Sequence, residues 1–138
     1  MATYNKFQPF VEKLAEKAHN LGSDALTLGL TTNANAPTAT DGVLADVTPI
    51  AYTNLSSRVL TISSSAQSAG TYKLVIADLV LTASGGSVAT FRFVFMYNDT
   101  AASKELIGYW DDGADVTLAD TETYTFDADA SAGVLTIA

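Results

Sequence analysis

The chain has 138 residues, 48% of them apolar and 16% charged, with a formal net charge of -8 and no cysteine. Its length fits one domain with a core of its own, the lack of thiols excludes a disulfide frame or a thiolate metal site, and the excess of acid argues against nucleic acid, whose phosphates are held mainly by Lys and Arg. So little charge also leaves part of the surface to be covered by something else.

The opening "MATYNKFQPF" lacks the basic-then-apolar pattern of an export signal. No apolar run approaches the roughly 18 residues of a membrane span, so no membrane partner is expected. Residues 5–21 predict the one helix, because Phe7, Phe10, Val11, Leu14, Ala18 and Leu21 recur three and four apart and form one stripe. Asn5 is a candidate cap, Pro9 draws the start of regular helix toward itself, and Gly22 is a natural stop. The stripe either covers the end of a β core or docks on a partner through Phe7, Phe10, Val11 and Leu14. Only "GSD" joins the helix to the strands. The expected organisation is an N-terminal helical arm, residues 1–22, and a β-sandwich domain, residues 23–138, that folds without the arm.

From Ala25 onward the pattern is strand and turn. "ALTLGL" is a short strand, "TTNANAPTATDG" a loop, and Pro49 limits "VLADVTPIAYTNL" to an edge strand or a bend. "RVLTISSS" alternates, and "TYKLVIADLVLTA" and "VATFRFVFMY" flank "SGGS", the strongest hairpin signal in the chain. "LIGYW", "VTL", "TYTFDA" and "GVLTIA" complete seven to nine strands with no helix between them. The fold class is therefore mainly β: an antiparallel β-sandwich or jelly-roll-like domain with one N-terminal α-helix.

The hairpin of residues 71–97 is expected to be central. A three-residue loop would set Asp78 opposite Arg92 as a neutralising pair. Phe91, Phe93 and Phe95 would share one face of their strand, with Val94 and Met96 on the other. Both faces then need cover, from a second sheet, the helix or a neighbouring subunit. Phe91, Phe93 and Phe95 are the candidate oligomer interface, and a closed ring of three, a homotrimer, is the expected assembly.

No catalytic residue, metal site or cofactor is assigned, and the chain is not expected to be an enzyme. His19 is the sole histidine and reads as a helix-terminal residue facing the last carbonyls. The acids of "DDGAD", Asp111, Asp112 and Asp115, have calcium-type oxygens without EF-hand spacing; with Asp127 and Asp129 they read as acidic turns and a solvated face. Tyr109 and Trp110 could form a sugar-stacking platform, although a strand Trp is more often core.

The segments "YNKFQPFVEKLAEKAHNLGSDALTLGLT", "LADVTPIAYTNLSSR", "GTYKLVIADLVLTASGGSVATFRFVFMYNDTA" and "LIGYWDDGADVTLADTETYTFDADASAGVLTIA" resemble a family of small virion proteins of tailed bacteriophages. "NLSSR", "YNDTA" and the final "GVLTIA" carry most of the likeness. The resemblance implies a capsid decoration, or cement, protein: β-rich, commonly trimeric, made in the bacterial host cytoplasm and bound to the major capsid protein on the capsid surface of the virion. It supplies no catalytic residues. The alternative is a carbohydrate-binding module of a tail or fibre, using Tyr109 and Trp110. An exposed Trp110 would favour the module, and a buried one the decoration protein.

Overall fold

Period-two alternation broken by Gly, Asn and Ser turns leaves the chain with short strands that must pair at a distance. The computed structural model describes residues 2–138. In chain order its elements are β1 (Asn5–Lys6), α1 (Pro9–Ala15), β2 (Leu26–Thr31), β3 (Ile62–Ser68), β4 (Thr71–Ile76), β5 (Leu79–Thr82), β6 (Val88–Asn98), β7 (Leu106–Leu118), β8 (Thr123–Phe126) and β9 (Leu135–Ile137). Every pairing is antiparallel. The sheets run β1-β7-β6-β2, β3-β4-β9 and β5-β8. Leu28, Leu74, Leu81, Val94, Trp110 and Phe126, drawn from all three sheets, meet in one core, so the larger sheet packs across the two smaller ones. The fold is mainly β with antiparallel sheets and a single helix near the N-terminus, as the sequence predicts.

The central strand β6 does not keep a constant alternation. Val88, Phe91, Val94 and Met96 all enter the main core, at spacings of three, three and two. Two of the three irregularities in the β6–β7 ladder absorb the difference. From Val88 to Phe91, three steps on β6 match only two on β7, from Leu118 to Val116. From Phe91 to Phe93, two steps on β6 match five on β7, from Val116 to Asp111, so Asp112 to Asp115 leave the ladder around Gly113 at φ 87. Phe91 and Phe95 therefore point to opposite faces.

The second face is closed from within the same chain. Phe95 and Tyr97 pack there with Phe7, Val47 and Leu106, flanked by Leu44 and Tyr109. Leu44–Asp46 is a single 3-10 turn held by Asp46 Oδ2, which accepts from the N–H of Gly42 at 2.8 Å and of Val43 at 3.1 Å. The ring of Phe95 lies over Gly29, its register partner on β2, and the ring of Tyr4 lies over Gly108 on β7. In both places the glycine makes room for an aromatic ring.

The hairpin expected across "SGGS" does not form. β5 pairs with β8, and β6 pairs with β2 and β7. Residues 84–87 instead form an arch between layers. The Ser84 N–H donates to the carbonyl of Asn54 and the Gly85 N–H to Asp120 Oδ1, both at 2.9 Å, while Asn54 Nδ2 donates to the carbonyl of Ser87 at 3.1 Å. A Cβ at Gly86 would sit 2.6 Å from Asn54 Nδ2, so close approach as well as φ demands glycine there. Asp78 and Arg92 consequently do not meet. Asp78 accepts from the N–H of Ala128 at 2.8 Å, and Arg92 makes a two-pronged contact with Asp111 at 2.8 and 3.0 Å.

The helix is shorter than the stripe that predicts it. Asn5 belongs to β1 and pairs with Tyr109, so it caps nothing, and the helix begins at Pro9. It stops at Ala15 because Lys17 takes a left-handed φ of 66. The Lys17 N–H then reaches the carbonyl of Leu14 at 3.3 Å and the Ala18 N–H that of Lys13 at 2.9 Å, a Schellman closure made without glycine. Nor is the segment before residue 23 a separate arm. Phe7 is 0% exposed, and Phe10 and Leu21 join the main core beside the strands.

Candidate functional site

The side chains singled out from sequence are not brought together. Of the helix face, Phe7 and Phe10 are buried, Leu14 is half-buried against the core, and only Val11, 50% exposed, reaches solvent. This corrects the expectation of a partner-binding stripe: those rings cover the chain's own cores. Phe91 packs edge-on against Tyr124 at 5.2 Å, Phe95 closes the second core, and Phe93 is half-buried. The expected interface of Phe91, Phe93 and Phe95 is thus dispersed by the bulges. Trp110 is 2% exposed, stacked edge-on with Phe126 at 4.9 Å and tilted against Tyr4 at 5.5 Å. It offers no face to a sugar.

The acids of the projecting turn are engaged within the chain. Asp111 is held below its ordinary carboxyl range by the Arg92 guanidinium and by the N–H of Gly113. Asp112 accepts the phenol of Tyr124 at 2.8 Å. Asp129 is not on a strand but caps a turn, accepting from the N–H groups of Ser131 and Ala132.

A recess lies elsewhere, between the segment after α1 and the β3-β4-β9 sheet. It has a volume of about 590 Å³. Leu14, Ala18, Leu21, Tyr72 and Ile137 give it apolar walls, and Lys17, His19, Asp24, Ser65 and Thr100 its polar groups. At its edge Ser65 and Tyr72 share a hydroxyl contact of 2.8 Å across β3 and β4.

His19 is built into this recess and is not at a helix end. It is 6% exposed, with its ring 5.2 Å from that of Phe10. Asn98, fully buried at the end of β6, is the hub beneath it. Its Oδ1 accepts from the N–H of Thr100 at 3.0 Å and of Ala101 at 3.1 Å, which fixes the amide. Its Nδ2 donates to Asp24 Oδ2 at 2.6 Å and faces His19 Nδ1 at 3.1 Å. Asp24 Oδ2 also accepts the N–H of Asn20 at 2.7 Å. Among the described residues, His19 Nε2 and Oε2 of the buried Glu105 have no hydrogen-bond partner. Burial pulls the imidazole below its ordinary value of 6.5, against an opposing pull from Glu105 and Asp24.

Sequence reasoning missed Asn98, Asp24 and Glu105. Asn98 stands in "YNDTA", where it reads as turn chemistry, and nothing local links it to a histidine 79 positions away. Comparison with protein-family models, curated proteins and solved structures finds no match for this chain.

Proposed function

We propose that this chain is a virion structural protein of a tailed bacteriophage, a capsid decoration protein that binds the outer surface of the head and stabilises it. Its partner in this reading is the major capsid protein, and no catalytic residue or cofactor is invoked. The observation that carries it over a carbohydrate-binding module of the tail or fibre is the burial of Trp110, which removes the stacking platform such a module needs. The resemblance through "NLSSR", "YNDTA" and "GVLTIA" supports the same class. So does a surface whose exposed large apolar side chains, Val11, Val59 and Val80, are 50–54% accessible and which carries an acid-only stretch over residues 111–138.

The test is electron microscopy of intact particles labelled with an antibody raised against the purified full chain. Label on the head shell is the expected result. Label confined to the tail, or no label on any particle, overturns the reading.

A further inference from the structure

Asn98 ties two side chains of one segment to the β body through a single amide group, and one of those ties depends on a proton. Both hydrogens of Nδ2 are directed, one to Asp24 Oδ2 and one to His19 Nδ1, and the amide cannot turn over because Oδ1 already accepts two backbone N–H groups. His19 Nδ1 must therefore present a lone pair, so the ring is neutral with its hydrogen on Nε2. A proton added at Nδ1 would set donor against donor, at a group that is 6% exposed.

We infer that His19, Asn98 and Asp24 form a proton-sensitive latch, holding residues 16–24 against the end of β6 by two ties and loosening them when protonation of His19 breaks one, so that the recess beside them widens.

The charged groups around the ring give the switch two states. Glu105, immediately before β7, and Asp24 on the latched segment favour the imidazolium, whereas burial opposes it most strongly. Lys17 shares the recess, and Lys13 on α1, paired with Glu16 at 3.3 Å, lies within electrostatic reach of Glu105. A charged ring in the closed geometry has lost its amide partner. Because the folded state disfavours the charged ring, the latch is fully engaged above the ordinary value of 6.5 and is lost as pH falls from there through the lower folded value. The anchors that remain in acid are the Asn98–Asp24 bond at 2.6 Å, the apolar side chain of Leu21, the Ala25 N–H on Thr100 Oγ1 at 2.8 Å and the backbone pair between Ala25 and Asp99 at 2.8 Å. Opening is therefore local, and β6 stays paired.

His19 is the only histidine, so its ring nitrogens can be followed by NMR in the full chain without assignment by mutation. At pH 7.5 the Nε2–H form is expected. Between pH 7.5 and 5, amide protection factors over residues 18–24 should fall about tenfold for each unit by which the folded state depresses the histidine, while those of β6 and β2 hold. H19Q keeps an acceptor for Asn98 and should show no such fall. An Nδ1–H form at pH 7.5, unchanged protection in acid, or the same acid loss in H19Q would each overturn the latch. Should H19Q fail to fold, the wild-type ring and amide titrations decide alone, since protection must begin to fall near 6.5 and level off where the ring itself titrates.

Discussion

Replacing Gly29 by alanine tests whether the second face of the central sheet is closed by the chain's own aromatic rings. In an ordinary strand, G29A would help by about 0.5–1 kcal/mol, because glycine loses the most backbone freedom on folding. Here an added Cβ would overlap three ring atoms of Phe95. Phe95 is 0% exposed and is enclosed by Phe7, Val47, Tyr97 and Leu106, so its ring has nowhere to retreat. Overpacking of that kind costs about 1–3 kcal/mol. The net expectation is a loss of about 1–2 kcal/mol after the backbone gain is subtracted, or roughly 4–8 °C in Tm for a chain of this size. Denaturant unfolding of wild type, G29A, F95L and the double variant measures it. F95L removes the overlapping atoms, so in that background G29A should be neutral or stabilising, with a coupling of about 1–2 kcal/mol. A G29A chain as stable as wild type would refute the packing and make Phe95 a candidate interface residue again.

Phe7→Ala should cost about 3–5 kcal/mol, and a chain beginning at Ser23 should be unfolded by circular dichroism, because Phe7, Phe10 and Leu21 lie inside the two cores; a folded, cooperatively melting fragment would restore the separate arm. Lys17→Gly should stabilise by about 0.5–1 kcal/mol, the left-handed penalty of a non-glycine residue less the extra entropy of glycine, seen as a higher denaturant midpoint at unchanged slope. Asp111 is held below its ordinary 3.8, so its contribution is present above that value and fades as pH falls through its lower folded one; D111N should flatten this part of the pH–stability curve and reduce its salt dependence. Light scattering at micromolar concentration should give a monomer of 14.4 kDa, because Phe91 and Phe95 are buried and Phe93 is half-buried on its own, and a stable trimer in solution would refute that.

The fold class was legible because burial enforces period two wherever a strand has one wet face, and the start of the helix was legible because Pro9 has few other places to go. Its end was not. Phe10, Leu14, Ala18 and Leu21 keep helical spacing, yet Lys17 turns the chain, and a lysine carries none of the local signal that a glycine would. The arch at "SGGS" failed for a related reason: serine and glycine permit tight turning of several kinds, and the choice is made by Asn54 and Asp120, 30 or more positions away. The polar hub escaped notice altogether. Asn98 joins residues 19 and 24 to the far end of β6, and such a contact has no period.

The bulges in β6 convert a sequence that looks fit for assembly into a chain closed on itself. With strict alternation, Phe91, Phe93 and Phe95 would share one face and an apolar strip would need a neighbour. The slip at Val116 to Asp111 moves Phe91 into the main core and leaves Phe95 under Phe7 and the Leu44–Val47 turn. The same slip drives Asp112 to Asp115 out of the ladder, so the event that hides the rings also creates the acidic projection. An outer surface made this way has scattered valines and many carboxylates in place of an apolar patch. Its association with a shell would then rest on polar contacts and strand edges more than on buried area, and such association strengthens when many copies meet many sites at once. Under the proposed reading as a decoration protein, single copies would bind weakly and hold firmly only where a lattice of binding sites is present.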